Sequence, residues 1–200
     1  LLDLIALGTI ADVVPLDHNN RILVAEGLRR IRAGKARPGI QALLEVAGKN
    51  TTALTASDLA FSVGPRLNAA GRLDDMTTGI ECLLSKHADT AYQLALQLDA
   101  MNQDRKQIEA DMRQQAFESL EELEFNESDL PNSFCLFDQR WHQGVVGILA
   151  SRIKEKYHRP VIAFATVEGG RELKGSARSI GGFNIRDALD AVATKNPGLV

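Results

Sequence analysis

The 200-residue sequence predicts an α/β chain: a layer of short helices, one long connecting helix, and an α/β domain that opens near residue 132 and is left incomplete at Val200. Three observations carry that prediction. Apolar residues recur at helical spacing through most of the first 120 positions. One stripe, Leu94, Leu98, Met101, Ile108, Met112, Ala116, Leu120 and Leu123, continues at spacings of three, four and seven beyond the length of an ordinary helix. After Pro131 two short β-branched and aromatic runs, 134–137 and 161–165, enclose a helical stretch over 145–157, which is a βαβ pattern.

Taken in order, residues 1–14 are nearly all apolar, broken by Asp3, Gly8, Thr9 and Asp12. They are expected to be buried. Leu1, Leu4, Ile5 and 7–11 fit a helix ended by Pro15, although periodicity alone does not separate helix from strand in so apolar a segment. A loop over 17–20 precedes a helix over 21–33, with Ile22, Leu23, Leu28 and Ile31 on one face, which Gly34 and Arg37-Pro38-Gly39 break. Short helices are expected over 40–47 and 57–62, the second capped by Thr55 or Ser57. Residues 64–78 read as a glycine-punctuated loop, followed by a turn or two of helix ending near Leu84.

Asp89 is the expected N-cap of the long helix over 90–123, which at about 1.5 Å per residue spans about 50 Å. Its stripe has too few clean heptads for a coiled coil, so a rod joining two domains is the expectation. The acidic stretch 118–129, closed by Pro131, reads as its solvated end and a linker. Gly169-Gly170 turns into a strand over 173–179, and Asn184 caps a helix over 185–192.

Composition narrows the class. At 44% hydrophobic and 24% charged the chain can bury a core. No apolar run approaches the roughly 20 residues of a membrane-spanning helix. Cys82 and Cys135 lack metal-ligand spacing and suit a reducing compartment, read as the cytoplasm. Residues 1–5 have neither an initiator Met nor a basic stretch before an apolar core, so a start in mid-protein is expected rather than a signal peptide. A net charge of -3 gives no global attraction to nucleic acid, which leaves local patches to supply it.

Four places carry candidate chemistry. Asp12 lies in ALGTIADVVPL (6–16), where an ionised carboxylate among apolar residues needs a partner: a metal ion, or simply a cap or turn. Asp3 has the same ambiguity. GPRLNAAGRL (64–73) sets Arg66, Asn68 and Arg72 among small residues, where guanidinium forks can hold phosphate or can pair with Asp74 and Asp75. Arg29, Arg30, Arg32, Lys35 and Arg37 put five cations in nine positions, either a backbone-following patch or a solvated helix face. In the last domain Trp141, His142 and Gly144 lead into a helix whose N-terminus suits an anion, with Ser176 and Arg178 on a later strand. Trp141 offers a face for base stacking or serves as core, and His142 as cap or contact.

Together the stretches ALGTIADVVPLDHNNR (6–21), RAGKARPGIQALLEVA (32–47), SVGPRLNAAGRLDD (62–75), WHQGVVGILASRIKEKYHRPVIAF (141–164) and KGSARSI (174–180) resemble the single-strand-specific DNA exonucleases of the DHH phosphoesterase superfamily. The resemblance implies that residues 1–75 are the C-terminal part of the DHH catalytic domain, 76–131 a connector with the long helix, and 132–200 an incomplete DHH-associated C-terminal domain. It implies a two-metal reaction with Mn²⁺ or Mg²⁺, 5'-to-3' hydrolysis of single-stranded DNA in recombination and repair, and a repair helicase or single-strand-binding protein as partner. By the same resemblance Asp12 is a catalytic metal ligand, Arg66, Asn68 and Arg72 face the substrate, and His142, Gly144, Ser176 and Arg178 face the strand end. The family's aspartate cluster and Asp-His-His motif would precede Leu1, and its Gly-Gly-His segment would follow Val200. The chain alone is therefore expected to be inactive and to bind the metal weakly. Two readings compete: a superfamily member acting on oligonucleotides, cyclic dinucleotides or pyrophosphate, and a non-catalytic nucleic-acid-binding module.

Overall fold

In a computed structural model of the protein the apolar opening forms a helix, α1 (Leu2–Ala11). The structure describes residues 1–121, 130–167, 170 and 172–196. Before Pro15 can act, α1 closes in a Schellman turn: the Val14 N–H donates to Thr9 O and the Val13 N–H to Ile10 O. Val13 takes the left-handed position with φ 54°, a strained conformation for a β-branched residue. Only Asp3, Ala6 and Leu7 of α1 are buried, while Ile5, Gly8 and residues 12–19 are exposed. The expectation that the whole opening segment is buried is thus corrected. Among the described residues, neighbours cover a single face of this all-round apolar helix.

Helix α2 (His18–Arg32) starts three residues earlier than its apolar spacing suggests, because the Asp17 carboxylate accepts the Asn20 N–H and caps it. It crosses α1 at Gly27, where an added Cβ would lie 2.4 Å from Leu2 O. Helix α3 (Pro38–Val46) begins with proline in its first turn, the position that needs no N–H donor. A buried carboxylate joins these elements. Asp3 Oδ2 accepts from the Arg37 amide at 3.0 Å and from Arg37 Nε at 3.1 Å. Burial alone would raise the Asp3 carboxyl, but the hydrogen bonds from Arg37 and the Leu4 amide outweigh it and bring it down to about 2.

A Thr55–Asp58 capping box opens α4 (Ala56–Asp58), which runs through a π-turn (Leu59–Val63) directly into α5 (Gly64–Leu73). The loop expected over 64–78 is therefore mostly helix. Proline lacks an N–H and crowds the carbonyl four residues back, so Gly64-Pro65 reads as a break; the wider π-turn absorbs both penalties. Helix α6 (Thr77–Leu84) packs on α3 so closely that a Cβ on Gly39 would lie 2.1 Å from Cys82 O. Helix α7 (Ala88–Glu121) starts before Asp89, which sits in its first turn rather than at the cap. Leu123, expected as its last apolar residue, lies outside the described residues. Ile31, Ile40, Leu43, Leu44, Leu59 and Leu98 centre the core of the first unit.

Contacts divide the chain into two units, Leu1–Arg105 and Lys106–Val200, with the division inside α7. The second unit holds the βαβ expected from sequence: β1 (Phe134–Phe137), α8 (Val146–Tyr157) and β2 (Val161–Thr166), with β1 and β2 parallel and Phe134 opposite Val161. Strand β3 (Leu173–Arg178) runs antiparallel to β2, with Val161 opposite Arg178 and Ala163 opposite Ser176. Val161, Ala163 and Ala165 are buried on one sheet face. The shared register therefore puts Ser176 and Arg178 on that face too, against α8. Asn184 caps α9 (Ile185–Lys195) by accepting the Arg186 and Asp187 amides. No helix among the described residues is long and apolar enough to cross a membrane.

Replacing Gly39 by Ala is expected to lower the unfolding free energy of the chain by about 2 kcal/mol in urea titration, since two backbones would have to separate. The same change at Gly8, which has open space around it, is expected to raise it by about 0.5–1 kcal/mol. An unchanged Gly39→Ala midpoint would rule out the α3–α6 contact. Because Asp3 ionises below its ordinary 3.8 in the folded chain, its contribution holds above that value and fades as pH falls from about 4 to about 2. Wild type is expected to lose about 2 kcal/mol from this group over that window, whereas Asp3→Asn starts less stable and shows a flatter profile.

Candidate functional site

On α5, Gly64, Asn68 and Arg72 fall four residues apart and form one row along the helix. The row starts against α1: a Cβ on Gly64 would lie 3.3 Å from Ala11 Cβ. Asp12, the next residue and the C-cap of α1, therefore sits beside the head of the row. Its carboxylate is exposed and has no hydrogen bond or ion pair with any described residue. The expected apolar enclosure of Asp12 is absent, because the cap lies past the last buried turn of α1.

Asn68 and Arg72 are exposed and likewise without side-chain partners among the described residues. Arg66 lies off that row. Its Nη1 donates to Ser62 O, and its Nη2 lies 2.8 Å from Asp99 Oδ1 on α7. That ion pair is close but poorly aligned, so Arg66 Nε and Asp99 Oδ1 gain no proper hydrogen bond. The structure thus sets Asp12 beside the start of α5, carries Asn68 and Arg72 one and two turns further along the same row, and uses Arg66 to tie α5 to α7. Phe61, 81% exposed on the π-turn, was not singled out by sequence; an aromatic beside a glycine-proline pair carries no signal of exposure.

The basic run resolves mostly into internal contacts. Arg29 pairs with Glu26, Arg32 donates to Leu54 O, and Arg37 holds Asp3. The side chains of Arg30 and Lys35 make no hydrogen bond or ion pair with described residues.

In the second unit Trp141 is 6% exposed, so base stacking on its face is ruled out and the core reading holds. Its Nε1 has no acceptor among the described residues. His142 shapes the entry to α8: its Nδ1 accepts the Gly144 N–H at 3.1 Å, and its carbonyl accepts the Val145 and Val146 amides. Arg178 reaches across from β3. Nε donates to Ser151 Oγ at 2.9 Å, and Nη1 donates to Ser176 Oγ at 3.1 Å and to Ala177 O at 2.9 Å. A Cβ on Gly147 would lie 2.9 Å from both Arg178 Nη2 and Ser176 Oγ, so the glycine makes room for them.

A guanidinium, a hydroxyl and the first turn of a helix suit an oxyanion, since the guanidinium charge and the helix dipole both favour negative charge there. Ser151 and Gly147 were missed in the sequence. A glycine inside a helix costs about 1 kcal/mol relative to Ala, and that cost was the available sign of a close approach.

The described residues contain no group of three or more His, Cys, Asp or Glu side chains able to hold a metal ion. Asp12 alone does not make a two-metal site.

Residues 131–199 match the DHHA1 domain model. Across all 200 residues the chain is 60% identical to the single-stranded-DNA-specific exonuclease RecJ of Dickeya dadantii and 58% identical to that of Escherichia coli, covering 34% of each. It therefore spans about a third of the length of the curated relatives it matches. Among solved structures, RecJ in complex with Mg²⁺ from Thermus thermophilus superposes with a TM-score of 0.82 at 35% identity, over 96% of this chain and 29% of that one. Exonuclease RecJ bound to manganese gives 0.77 at 34% identity, over 94% and 45%.

The chain's one tryptophan reports on its core position. Its fluorescence is expected to be blue-shifted, poorly quenched by iodide and insensitive to added oligothymidylate, and Trp141→Ala is expected to cost about 3 kcal/mol or more of stability. Strong iodide quenching in the native chain would contradict this placement.

Proposed function

Because the chain is homologous over its full length to a segment of the RecJ exonucleases and carries a DHHA1 domain, we propose that it is part of a metal-dependent enzyme that hydrolyses phosphodiester bonds of single-stranded DNA from the 5' end. In this reading residues 1–75 close a DHH catalytic domain, 76–131 connect, and 132–200 begin the DHH-associated domain. The protein works in recombination and repair in the cytoplasm, alongside a helicase or single-strand-binding protein.

The observation that supports it best is Asp12, exposed and unpaired beside the head of the Gly64–Asn68–Arg72 row. A carboxylate that the fold leaves exposed and unpaired beside that row suits a ligand for one of the Mn²⁺ or Mg²⁺ ions. The other ligands come from the polypeptide that the relatives have beyond this span. Since the described residues do not form the metal site, the chemistry attributed to this chain is holding and orienting the strand. Arg72 and Asn68 take phosphate and sugar oxygens near Asp12. Arg178 and Ser176 take an end phosphate at α8, with His142 and Gly144 shaping that turn. Arg66 acts through its ion pair with Asp99, as a brace for α5.

In the full-length protein Asp12→Ala is expected to cut turnover at least about a hundredfold while strand binding persists, and Arg72→Ala to lower by about one the slope of log affinity against log salt. Full turnover by Asp12→Ala would favour a non-catalytic binding module instead.

A further inference from the structure

We infer that Ser151 is a positioning residue for Arg178, locking the guanidinium so that only Nη2 remains to meet a phosphate oxygen at the strand end. The inference rests on the reading of Arg178 as a substrate contact and adds to it the device that aims the side chain.

A guanidinium has five N–H donors. The single one on Nε goes to Ser151 Oγ, and Nη1 is engaged by Ser176 Oγ and Ala177 O. Both donors on Nη2 are left, and Nη2 lies over Gly147. Ser151 is committed in two directions at once: its oxygen accepts from Arg178 Nε, and its hydroxyl donates to Gly147 O at 3.2 Å.

The hydroxyl therefore bridges the first turn of α8 to β3. Gly147 and Ser151 stand four residues apart on one helix face, and Ser176 and Arg178 two residues apart on the strand face opposite. An arginine free on a strand would lose about 2 kcal/mol of rotamer freedom when it bound its ligand. Held at Nε and Nη1 beforehand, Arg178 has surrendered most of that freedom on folding. With Nε taken, the side fork of Nε and Nη2 is closed, and contact is made end-on through Nη2. That geometry suits a phosphate oxygen of any sequence rather than a base edge.

The test uses the full-length protein and a 5'-phosphorylated oligothymidylate, with steady-state turnover and metal-free strand affinity both measured. Ser151→Ala is expected to raise KM and weaken strand affinity about tenfold with kcat nearly unchanged, and Ser151→Thr to restore both. Added to Arg178→Ala, the Ser151→Ala change is expected to do nothing more, because it acts through that side chain. A loss that simply adds to that of Arg178→Ala, as a folding defect would, overturns the inference. So does wild-type affinity for Ser151→Ala beside a weakened Arg178→Ala, an outcome that spares Arg178 as a contact. Wild-type affinity for Arg178→Ala removes the contact itself and the inference with it.

Discussion

The first unit depends on how α1 is held. Asp3 is gripped by the amide and guanidinium of Arg37, the middle of the helix is pressed on Gly27, and its last turn lies against Gly64. Two of these three points are approaches that a side-chain carbon would crowd, and the third is a buried charge that would be costly without its arginine. A helix fixed at both ends and the middle has little freedom to slide or roll. The carboxylate at its C-cap is consequently set beside the row on α5 by backbone packing, with no side-chain tie of its own. Asp12 can stay unsatisfied because α1 does not need it.

The second unit solves a similar problem with different parts. The register of β2 and β3 decides that Ser176 and Arg178 look toward α8, and Gly147 decides how near they come. The hydrogen bonds of Ser151, Ser176 and Ala177 then settle the orientation of the guanidinium. Backbone arrangement supplies proximity, and hydroxyls supply aim.

Much of this is legible in the amino-acid sequence alone. The α/β class, the long helix, the βαβ pattern and the Asn184 cap, with Thr55 as one of two candidates for another, follow from periodicity and capping chemistry, which act over a few residues. What is misread there depends on distant partners. Asp3 and Asp12 are alike in sequence, and only Arg37, 34 positions away, makes the first structural. The basic run looks like one patch until Leu54 and Asp3 are seen to claim two of its arginines. Trp141 shows an aromatic face in the sequence and a buried one in the fold. Ser151 reads as an ordinary polar helix residue because its partner arrives from a strand 27 positions later. The helix over 64–73 is hidden by two strong local breakers whose effect the preceding turn cancels.

That turn also constrains how the chain can vary in length. Each residue advances an α-helix by about 100°, and the π-turn carries one residue more than an ordinary turn would. A residue added to a helix without such a turn would rotate everything after it by that angle, whereas here the extra residue is taken up in one widened turn and α5 stays in phase with what precedes it. Without the widened turn, that extra residue would carry the whole Gly64–Asn68–Arg72 row away from α1 and bring the buried pair Ala69 and Ala70 out of the interior. The wide turn works as a phase-absorber, and a change of length elsewhere in these helices would have no such turn to take it up.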